Sequence, residues 1–537
     1  MLSLSERSVP HAPSRDGAVV AEPPLREAGS LLAMNRQRLH AHADQLVILG
    51  RSFAALRRHA RQSAIAAALD YLGERPASAG WSGQIPDTLL VAGHQPELFH
   101  PGVWVKNFAL AGLARKHHAV ALNLIVDDDI IKTTTLRVPD PPHIRRILFD
   151  RWTGATPYEE RTIADRALFA SFAERVGELT RQWPYEPLLP AFWAEVLRQS
   201  ERTQNLGECF AAARRSFERA WGCHNLEVPL SMICGTEPFA YFACHILAHL
   251  PHFHSLYNSI VHDYRRRHGI RDRQHPVPDL AIDGDWLEAP FWIWQSGAGR
   301  RERLFARLCP DLVELRTVGG DGRWDRRLAG PPPHTWQELA AQGLKIRTRA
   351  LTTTLYARLF LGDLFLHGIG GGIYDELTDE LMRRFYGCEP PEYLVLSATR
   401  WLPLPRPTAT PDDRRRLLHE LRDVHYNPQR HLDEIQSAAI PPAHLVERKQ
   451  EWIARQPAVS AERRERFRVL RALTEELRRP LGPREDHLRR QLHRCEQELR
   501  TRAVLERRDY SFCLFPESVL RPFCTQFLNE ALEHSGR

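Results

Sequence analysis

The sequence predicts an α/β protein, with a parallel β-sheet as its core and packed helices towards its C-terminus. In the core region, a short apolar strand runs into a loop rich in glycine and histidine, a helix follows, and a second apolar strand ends in three aspartates. Parallel strands need a helical crossover of this kind, so the order indicates a βαβ unit. After Pro405, apolar residues recur at steps of three and four, which is typical of packed helices.

The βαβ unit can be followed along the chain. Residues 89–92 form the first predicted strand, and the loop 93–102 follows it. The second predicted strand covers residues 121–126 and ends at Asp127. Four apolar residues share one face of the helix between them: Val105, Phe108, Ala109 and Leu113. Shorter strands are predicted further on, at 226–230, 291–294, 344–347, 364–366 and 393–396.

Length and composition predict a globular protein of several domains. A chain of 537 residues exceeds what one hydrophobic core usually organises, and 43% hydrophobic with 26% charged residues excludes a disordered chain. No apolar run is long enough for a membrane helix, and the N-terminus lacks the apolar segment of a signal peptide. Nine cysteines without a Cys-x-x-Cys pair argue against a zinc cage or a disulfide framework. We therefore expect a cytoplasmic protein.

Changes in composition divide the chain into six segments. In chain order we predict a disordered N-terminus (1–28), the first half of the core with N-terminal helices (29–150), a helical connecting or insertion region (151–285), the second half of the core (286–405), an antiparallel helical hairpin with coiled-coil-like packing (406–510) and a C-terminal segment that packs on another domain (511–537). The break 480–483, rich in proline and glycine, would separate the two helices of the hairpin.

Lysine is rare in this chain, and its placement points to a site. Only five of the 73 basic residues are lysines, and three of these lie between Lys106 and Lys132. A compact ammonium can serve where an arginine fork cannot. The same stretch of chain holds the densest polar chemistry, in the histidine-rich loop and the three aspartates. We therefore predict a functional site there.

The loop after the first strand is the predicted anion-binding side of this site. Ligands of parallel α/β sheets collect at the carboxyl ends of strands, where helix N-termini present free N–H groups. His94 and His100 could hydrogen-bond one phosphate or carboxylate, and Lys106 could add a full charge. An ordinary structural role is the alternative for each histidine.

The three aspartates form the predicted cation-binding side. Consecutive carboxylates repel one another, and their pKa values rise unless a cation lies nearby. The cation could be Lys132, a substrate ammonium or a divalent metal with oxygen ligands. Because side chains alternate along a strand, Asp127 and Asp129 could face one way and Asp128 the other. The alternative is a solubilising strand end.

Later segments could complete the site from across the crevice. The glycine-rich segment 368–372 could bring backbone amides to a phosphate or a sugar, or it could be a tight turn that needs positive φ. Arg347 and Arg349 alternate on a predicted strand, and with Arg400 they could clamp an anion. No metal ligand is assigned, and a metal requirement stays open.

The polar elements of the core resemble those of the cysteine-adding enzymes of bacillithiol biosynthesis. Residues 93–99, with Gly102 and Lys106, are similar to that family's Gly-Gln-Gln…Gly-Pro…Lys element. Asp127-Asp128 resembles its Glu-Asp-His-Asp element, although Asp129 stands where the family has histidine. The chain is thus identified as a divergent member.

Two later elements extend the resemblance in the same order. Residues 365–374 are similar to the family's glycine-rich segment before an aromatic residue, and 514–520 to its C-terminal Leu-Phe-Pro…Leu signature. The resemblance covers 85–140, 344–405 and 480–525. The predicted substrate-binding residues are Gly93, Gln95, Asn107, Asp129, Lys132, Arg347, Arg349, Gly370, Gly371, Tyr374 and Arg400.

The resemblance implies a Rossmann-like core with a protruding coiled coil that could form a homodimer. It implies a ligase that joins the carboxyl group of cysteine to the amine of glucosaminyl-malate, with activation by ATP or another nucleotide. His94, His100 and Lys106 would hold the anionic end or phosphate. Asp127 and Asp128 would hold an ammonium or sugar hydroxyls. The expected partners are small molecules, cysteine and an amino sugar, and no membrane.

Two other functions stay open. The three aspartates could be the metal motif of a nucleotide-sugar glycosyltransferase. Alternatively, an α/β module with a coiled-coil arm could be a non-enzymatic scaffold for assembly or for nucleic acid. The net charge of +7 allows nucleic-acid binding. However, arginine alternates with glutamate, as in residues 461–466, which is typical of a solvated helical face, so we do not expect a nucleic-acid partner.

Overall fold

The computed structural model describes residues 10–42, 46–75, 86–310, 312–317, 326–328, 332–432 and 443–529. The chain divides into two compact units. Unit 1 comprises 1–138, 146–402 and 508–537, and unit 2 comprises 139–145 and 403–507, within the described ranges. Unit 1 holds the parallel sheet and unit 2 is mainly helical.

The strands, in chain order, are β1 (Val19–Glu22), β2 (Val47–Ile48), β3 (Arg51–Ser52), β4 (Leu89–His94), β5 (Val120–Ile125), β6 (Thr135–Asp140), β7 (His143–Leu148), β8 (Leu226–Pro229), β9 (Ile282–Asp283), β10 (Trp286–Gln295), β11 (Glu302–Cys309), β12 (Leu312–Thr317), β13 (Arg326–Leu328), β14 (Leu344–Thr348), β15 (Leu364–His367) and β16 (Tyr393–Ala398).

The α-helices are α1 (Ala28–Ala41), α2 (Phe53–Leu72), α3 (Pro101–Lys116), α4 (Arg166–Ala170), α5 (Phe172–Thr180), α6 (Leu189–Ser200), α7 (Leu206–Ala220), α8 (Leu230–Ile233), α9 (Glu237–Ala248), α10 (Leu250–Arg267), α11 (Pro332–Ala341), α12 (Ala350–Tyr356), α13 (Ile369–Phe385), α14 (Pro411–Tyr426), α15 (Ala443–Ala454), α16 (Ser460–Arg478), α17 (Gly482–Leu505) and α18 (Glu517–Thr525).

The core of unit 1 is a six-stranded sheet in the order β1-β16-β15-β4-β5-β8. All neighbours run parallel except β1, which pairs antiparallel with β16. The βαβ unit β4–α3–β5 lies at its centre, and the predicted α/β class with a parallel sheet is confirmed. The chain adds β5 and β8 on one side of β4, and β15 and β16 on the other. The direction of strand addition therefore reverses between β4 and β15.

Helix α3 is buried on almost every side, and not on one face as its apolar spacing predicts. It packs on the parallel sheet and on the C-terminal segment that includes α18. Two glycines permit these close approaches. A Cβ atom at Gly102 would lie 2.0 Å from the carbonyl oxygen of Ala398, and one at Gly112 would lie 1.9 Å from that of Phe527.

The N-terminus differs from the prediction of disorder over 1–28. Val19–Glu22 form an edge strand of the sheet, with Val19 opposite Ala398, and the Gly17 amide donates to the Thr399 carbonyl oxygen at 2.8 Å. Backbone bonds to an open sheet edge can stabilise a segment whose composition alone suggests disorder. Residues 1–9 lie outside the described residues.

A second, antiparallel sheet accounts for most of the segment 286–348. Its order is β13-β12-β11-β10-β14, with β9 paired to β10. The prediction that 286–405 forms the second half of the parallel core is therefore wrong for most of this range, in which only β15 and β16 belong to the described parallel sheet. Alternating apolar residues predict a strand without distinguishing parallel from antiparallel pairing, which explains the difference.

The C-terminal segment after α17 is buried in unit 1. Phe512 packs against Trp104, with ring centroids 4.3 Å apart, and its amide donates to the Phe99 carbonyl oxygen at 2.9 Å. The Leu188 amide donates to the carbonyl oxygen of Phe515 at 2.8 Å. This apolar segment therefore covers α3 and the connecting helices.

Unit 2 pairs its helices differently from the predicted hairpin. Helix α17 runs antiparallel along α14, where Arg414 pairs with Glu496, and α16 runs along α15. Only a short 3-10 turn, Arg479–Leu481, separates α16 from α17. The backbone of Gly482 is helical, so the break at 480–483 does not form the predicted hairpin turn. A proline at a helix start is compatible with helical φ, which explains the difference.

Candidate functional site

The loops after β4 and β5 meet at the carboxyl edge of the parallel sheet. The Val126 amide donates to the His94 carbonyl oxygen at 3.0 Å. Gln95 Nε2 donates to Asp129 Oδ2 at 2.8 Å. The two polar segments of the sequence therefore form one continuous surface.

Lys106 lies between β4 and β15, where the direction of strand addition reverses. Its Nζ atom donates to the Gly93 carbonyl oxygen at 3.3 Å, and it would lie 3.9 Å from a Cβ atom at Gly368. The side chain is only 4% exposed, and burial lowers the pKa of the ammonium to about 8. Among the described residues no carboxylate forms an ion pair with it. A bound anion would stabilise this buried charge.

His94 presents a hydrogen-bond acceptor and not a cation. Its Nδ1 atom lies 3.1 Å from the Gln95 carbonyl oxygen, which places the proton on Nδ1. Nε2 is buried without a hydrogen-bond partner among the described residues. Burial, together with the charge of Lys106, lowers the pKa of His94 to about 3. The neutral ring therefore suits a ligand N–H or O–H, and the predicted contact of His94 with an anion is wrong at this nitrogen.

His100 is the N-cap of α3. Its Nδ1 atom accepts from the Gly102 amide at 3.1 Å, so the ring proton resides on Nε2. Burial and the charge of Arg508 lower the pKa of His100 to about 4. The cap thus leaves one neutral N–H donor, at Nε2, that is compatible with an anionic ligand.

The glycine-rich segment is the first turn of α13 and not a tight turn. Gly368 is its N-cap, and Gly370, Gly371 and Gly372 have no positive φ. A Cβ atom at Gly372 would lie 2.4 Å from Val395 Cγ2, whereas one at Gly370 would meet open space. The first turn therefore packs against β16 on one side and is accessible on the other. Its free N–H groups lie near Lys106.

His367 and Asp375, which were not predicted from the sequence, also lie at this candidate site. His367 ends β15, and its Nε2 atom lies 2.7 Å from Asp375 Oδ2. Asp375 also accepts from Arg358 Nη1 at 2.6 Å. His367 and Asp375 are eight residues apart, and this spacing predicts a contact only when a helix is known to start between them.

The three aspartates are held by different partners. Asp127 accepts from the Ser231 amide at 2.9 Å and from its hydroxyl at 2.5 Å. Asp128 accepts from the Thr348 hydroxyl at 3.2 Å, and Asp129 pairs with Arg301 at 2.9 Å.

Burial and neighbouring carboxylates raise two pKa values in this acidic group. The pKa of Asp127 is raised to about 6, mainly by burial and also by Glu159. The pKa of Asp128 is raised well above its usual range by burial and by Asp127. Lys132 is poorly placed to neutralise this acidic group, since its Nζ atom lies 3.8 Å from Asp129 Oδ2 and its side chain is 64% exposed.

Two bases extend the acidic cluster, defined here as Asp127–Asp129 with Glu159 and Glu160. Arg347 Nε donates to Glu159 at 2.8 Å, and Lys345 Nζ lies 3.0 Å from Glu160. A cavity of about 270 Å³ adjoins the cluster. Its lining includes Ser231, Thr236, Glu237, Trp336, Lys345 and Arg347.

Four predicted binding residues are engaged elsewhere. Asn107 donates to the buried Glu218 at 2.7 Å, Arg349 pairs with Glu288 at 2.6 Å, and Arg400 pairs with Asp16 at 3.1 Å. Tyr374 packs against His275, with ring centroids 5.6 Å apart. Sequence spacing placed these residues near the site, but the helix faces and strand faces turn their side chains to other partners.

Comparison with protein-family models finds no match to the chain, and comparison with curated proteins finds none either. Within the ranges that the structure describes, no group of three or more His, Cys, Asp or Glu side chains is arranged to hold a metal ion. No described helix is long and apolar enough to cross a membrane. Function is therefore inferred from the geometry of the site and from the resemblance in its residues.

Proposed function

We propose that the chain is a carbon–nitrogen ligase with a Rossmann-like core, which joins the carboxyl group of cysteine to an amino sugar. The observation that supports it is the buried ammonium of Lys106 beside the glycine-rich first turn of α13. With β4, β5, β8, β15 and β16 numbered 1 to 5, the sheet order is 3-2-1-4-5. In doubly wound sheets of this order, ligands bind where the order reverses.

A nucleotide phosphate or a carboxylate fits the donors at this point. Lys106 supplies charge, His100 supplies a neutral N–H group, and the first turn of α13 supplies free amides. The open space at Gly370 leaves room for the ligand to approach the backbone. A bound ATP would supply the activation that a free carboxylate needs for amide formation. Lys106 would offset the charge of the bound anion.

An acceptor nearby suits the partner that carries the amine. His94 offers a lone pair at Nε2, which has no hydrogen-bond partner among the described residues. Ser231, Thr236 and Trp336 all line the 270 Å³ cavity, and a combination of hydroxyls with an aromatic ring suits a sugar. We propose that the sugar portion of this partner occupies the cavity.

A ligand-stabilisation panel followed by a product assay tests the proposal. We expect ATP or ADP to raise the Tm, cysteine and glucosaminyl-malate to add to that shift, and mass spectrometry to detect their amide. Stabilisation by a nucleotide sugar with manganese, and not by ATP or cysteine, would instead favour the glycosyltransferase function. Absence of any shift and of any product would reject both.

Dimerisation through unit 2 and a cytoplasmic location complete the proposal. In unit 2, Phe467 is 67% exposed, Val459 54% and Ile453 48%. Such apolar exposure is compatible with a covered helical face. Sedimentation of the wild-type chain and of a Phe467→Glu variant would test this; a monomeric wild type at micromolar concentration would contradict it.

A further inference from the structure

His367 is a second buried titratable residue in the region where the sheet order reverses. It is the last residue of β15, is 4% exposed, and packs between the rings of Phe365 and Tyr393 at 4.4 and 4.9 Å. The positive charge of Lys106 contributes to lowering the pKa of His367. The ring is therefore held in one place by strand, helix and aromatic neighbours.

Asp375 fixes the tautomer of His367. A carboxylate only accepts, so the 2.7 Å contact between His367 Nε2 and Asp375 Oδ2 places the ring proton on Nε2. Asp375 is itself 1% exposed and is held by Arg358, a residue that is also 1% exposed. The lone pair of the neutral ring is consequently on Nδ1. A histidine oriented by a buried carboxylate in this manner is the arrangement of a general base.

The lone pair faces the first turn of α13. A Cβ atom at Gly371 would lie 2.7 Å from Nδ1, so only glycine leaves the ring in place. Among the described residues Nδ1 has no hydrogen-bond partner, while the adjoining Gly370 faces open space. His367 Nδ1 is therefore a hydrogen-bond acceptor close to two kinds of donor, the ammonium of Lys106 and the free N–H groups at the N-terminus of α13.

We propose that His367, held by Asp375, is the proton acceptor for an amine nucleophile bound at the first turn of α13. The lone pair of the amine attacks the carbonyl carbon of the ATP-activated carboxyl group, and one N–H proton moves to Nδ1. The bond from that carbon to the phosphate oxygen breaks, so that the phosphate leaves with the bonding electron pair. The imidazolium that forms is stabilised by the carboxylate of Asp375. The assignment of the nucleophile as an amine rests on the proposed ligase function, whereas the acceptor itself follows from the geometry.

A substitution series separates this role from a structural one. His367→Gln should lower amide formation by about 100-fold or more, the usual contribution of a general base, while the Tm shift caused by ADP is kept. His254→Gln is the matched control, because His254 is 5% exposed and, among the described residues, its ring hydrogen-bonds only the carbonyl oxygen of Ala281, through Nε2. Turnover within twofold of wild type, or loss of the ADP shift together with turnover, would overturn the proposal.

The pH profile gives a second readout. Burial and the charges of Lys106 and Arg358 lower the pKa of His367, and Asp375 opposes them. Asp375→Asn removes the opposing charge, so the acidic limb of the pH profile, which reports the protonation of His367, should shift to lower pH while the maximal rate falls. An unchanged profile with a lowered rate would indicate a structural effect only.

Exchange at the imidazole C2 position tests the proposal without any turnover. Mass spectrometry would follow the deuteration of His367 in the full chain, with cysteine or glucosamine as amine probes. We expect either probe to slow the exchange at His367 and to leave His254 unchanged. Unaltered exchange at His367 with both probes would reject the acceptor role, whereas protection without any amide product would reject only the ligase reaction.

Discussion

The two halves of the site differ in how their charged groups are paired. In the acidic cluster each carboxylate has a protein partner, such as Ser231 for Asp127 and Arg347 for Glu159. Where the sheet order reverses, Lys106 lacks a carboxylate and His94 Nε2 lacks a partner among the described residues. Buried polar groups are normally satisfied within the protein. We infer that the acidic cluster mainly maintains structure, whereas the half around Lys106 and His94 is suited to binding a ligand.

This difference predicts opposite effects of removing a charge. A base taken from the cluster leaves a buried carboxylate without its partner, which costs stability. Loss of the Lys106 ammonium removes an uncompensated buried charge, so the fold should tolerate it. Stability and function should therefore respond to different substitutions, and four predictions test this.

The largest expected effect is on stability, from Arg347→Met. The change leaves Glu159 with only Lys345 as a partner, and breaking a buried ion pair costs about 3 kcal/mol or more. Urea unfolding would measure it. Arg300→Met is the control, since Arg300 is 66% exposed in its pair with Glu302 and should change the free energy of unfolding by less than about 0.5 kcal/mol. Equal stability of the two variants would contradict a structural role of the cluster.

Lys106→Met should have the largest effect on function. Losing one preorganised charge on a developing anion typically lowers kcat by about 100- to 1000-fold. Amide formation would be measured alongside the Tm, which we expect to be unchanged or raised. Lys132→Met, at a 64% exposed lysine, is the matched control and should keep activity. Unfolding of Lys106→Met, or retained activity, would remove the functional assignment.

Alanine substitutions at Gly370 and Gly372 should distinguish an effect on stability from an effect on ligand binding. Gly372→Ala forces a Cβ atom against Val395 and should cost about 1–3 kcal/mol of stability. A Cβ atom at residue 370 would meet no described protein atom within 4 Å. Gly370→Ala should therefore leave the free energy of unfolding unchanged or raise it by at most about 1 kcal/mol. It should nevertheless weaken the ADP-induced Tm shift, because the methyl group occupies the approach to the backbone. A full ADP shift in Gly370→Ala would place the ligand elsewhere.

The smallest expected effect is a dependence on pH. Burial lowers the pKa of Lys106 from 10.5 in the unfolded chain to about 8 in the fold. The unfolded state thus binds more protons between these values, and the stability of the free protein should rise with pH across this window. Anion binding needs the charged form, so affinity should fall as pH rises through about 8. Lys106→Met should abolish both trends, and a wild type with no such trends would contradict the assignment.

Much of the core could be predicted from the sequence, because its signals are local. The apolar strand before Gly93, the helix from Pro101 and the strand before Asp127 each carry their own pattern. Local patterns also placed His94 and Lys106 at one edge of the sheet. They could not show that β14 pairs with β10 in a separate sheet, since pairing partners are set by the whole fold.

The rest of the site depends on directions that only three-dimensional packing fixes. Asn107 follows Lys106 in the chain, yet its side chain donates to the buried Glu218 and not to a group near Lys106. His367 and Asp375 carry no motif, and they meet because α13 begins between them. Hydrogen bonds also decide which histidine nitrogen is free, so the sequence could not reveal that His94 is an acceptor.

Proton uptake on anion binding tests the central claim most directly. Calorimetric titration with ADP at about pH 8, in buffers of different ionisation enthalpy, measures the protons taken up per ligand bound. If the anion binds beside Lys106, its charge raises the pKa of the ammonium and the wild type takes up a fraction of a proton, while Lys106→Met takes up none. ADP binding with equal proton uptake in both proteins, or no ADP binding at all, would contradict the claim.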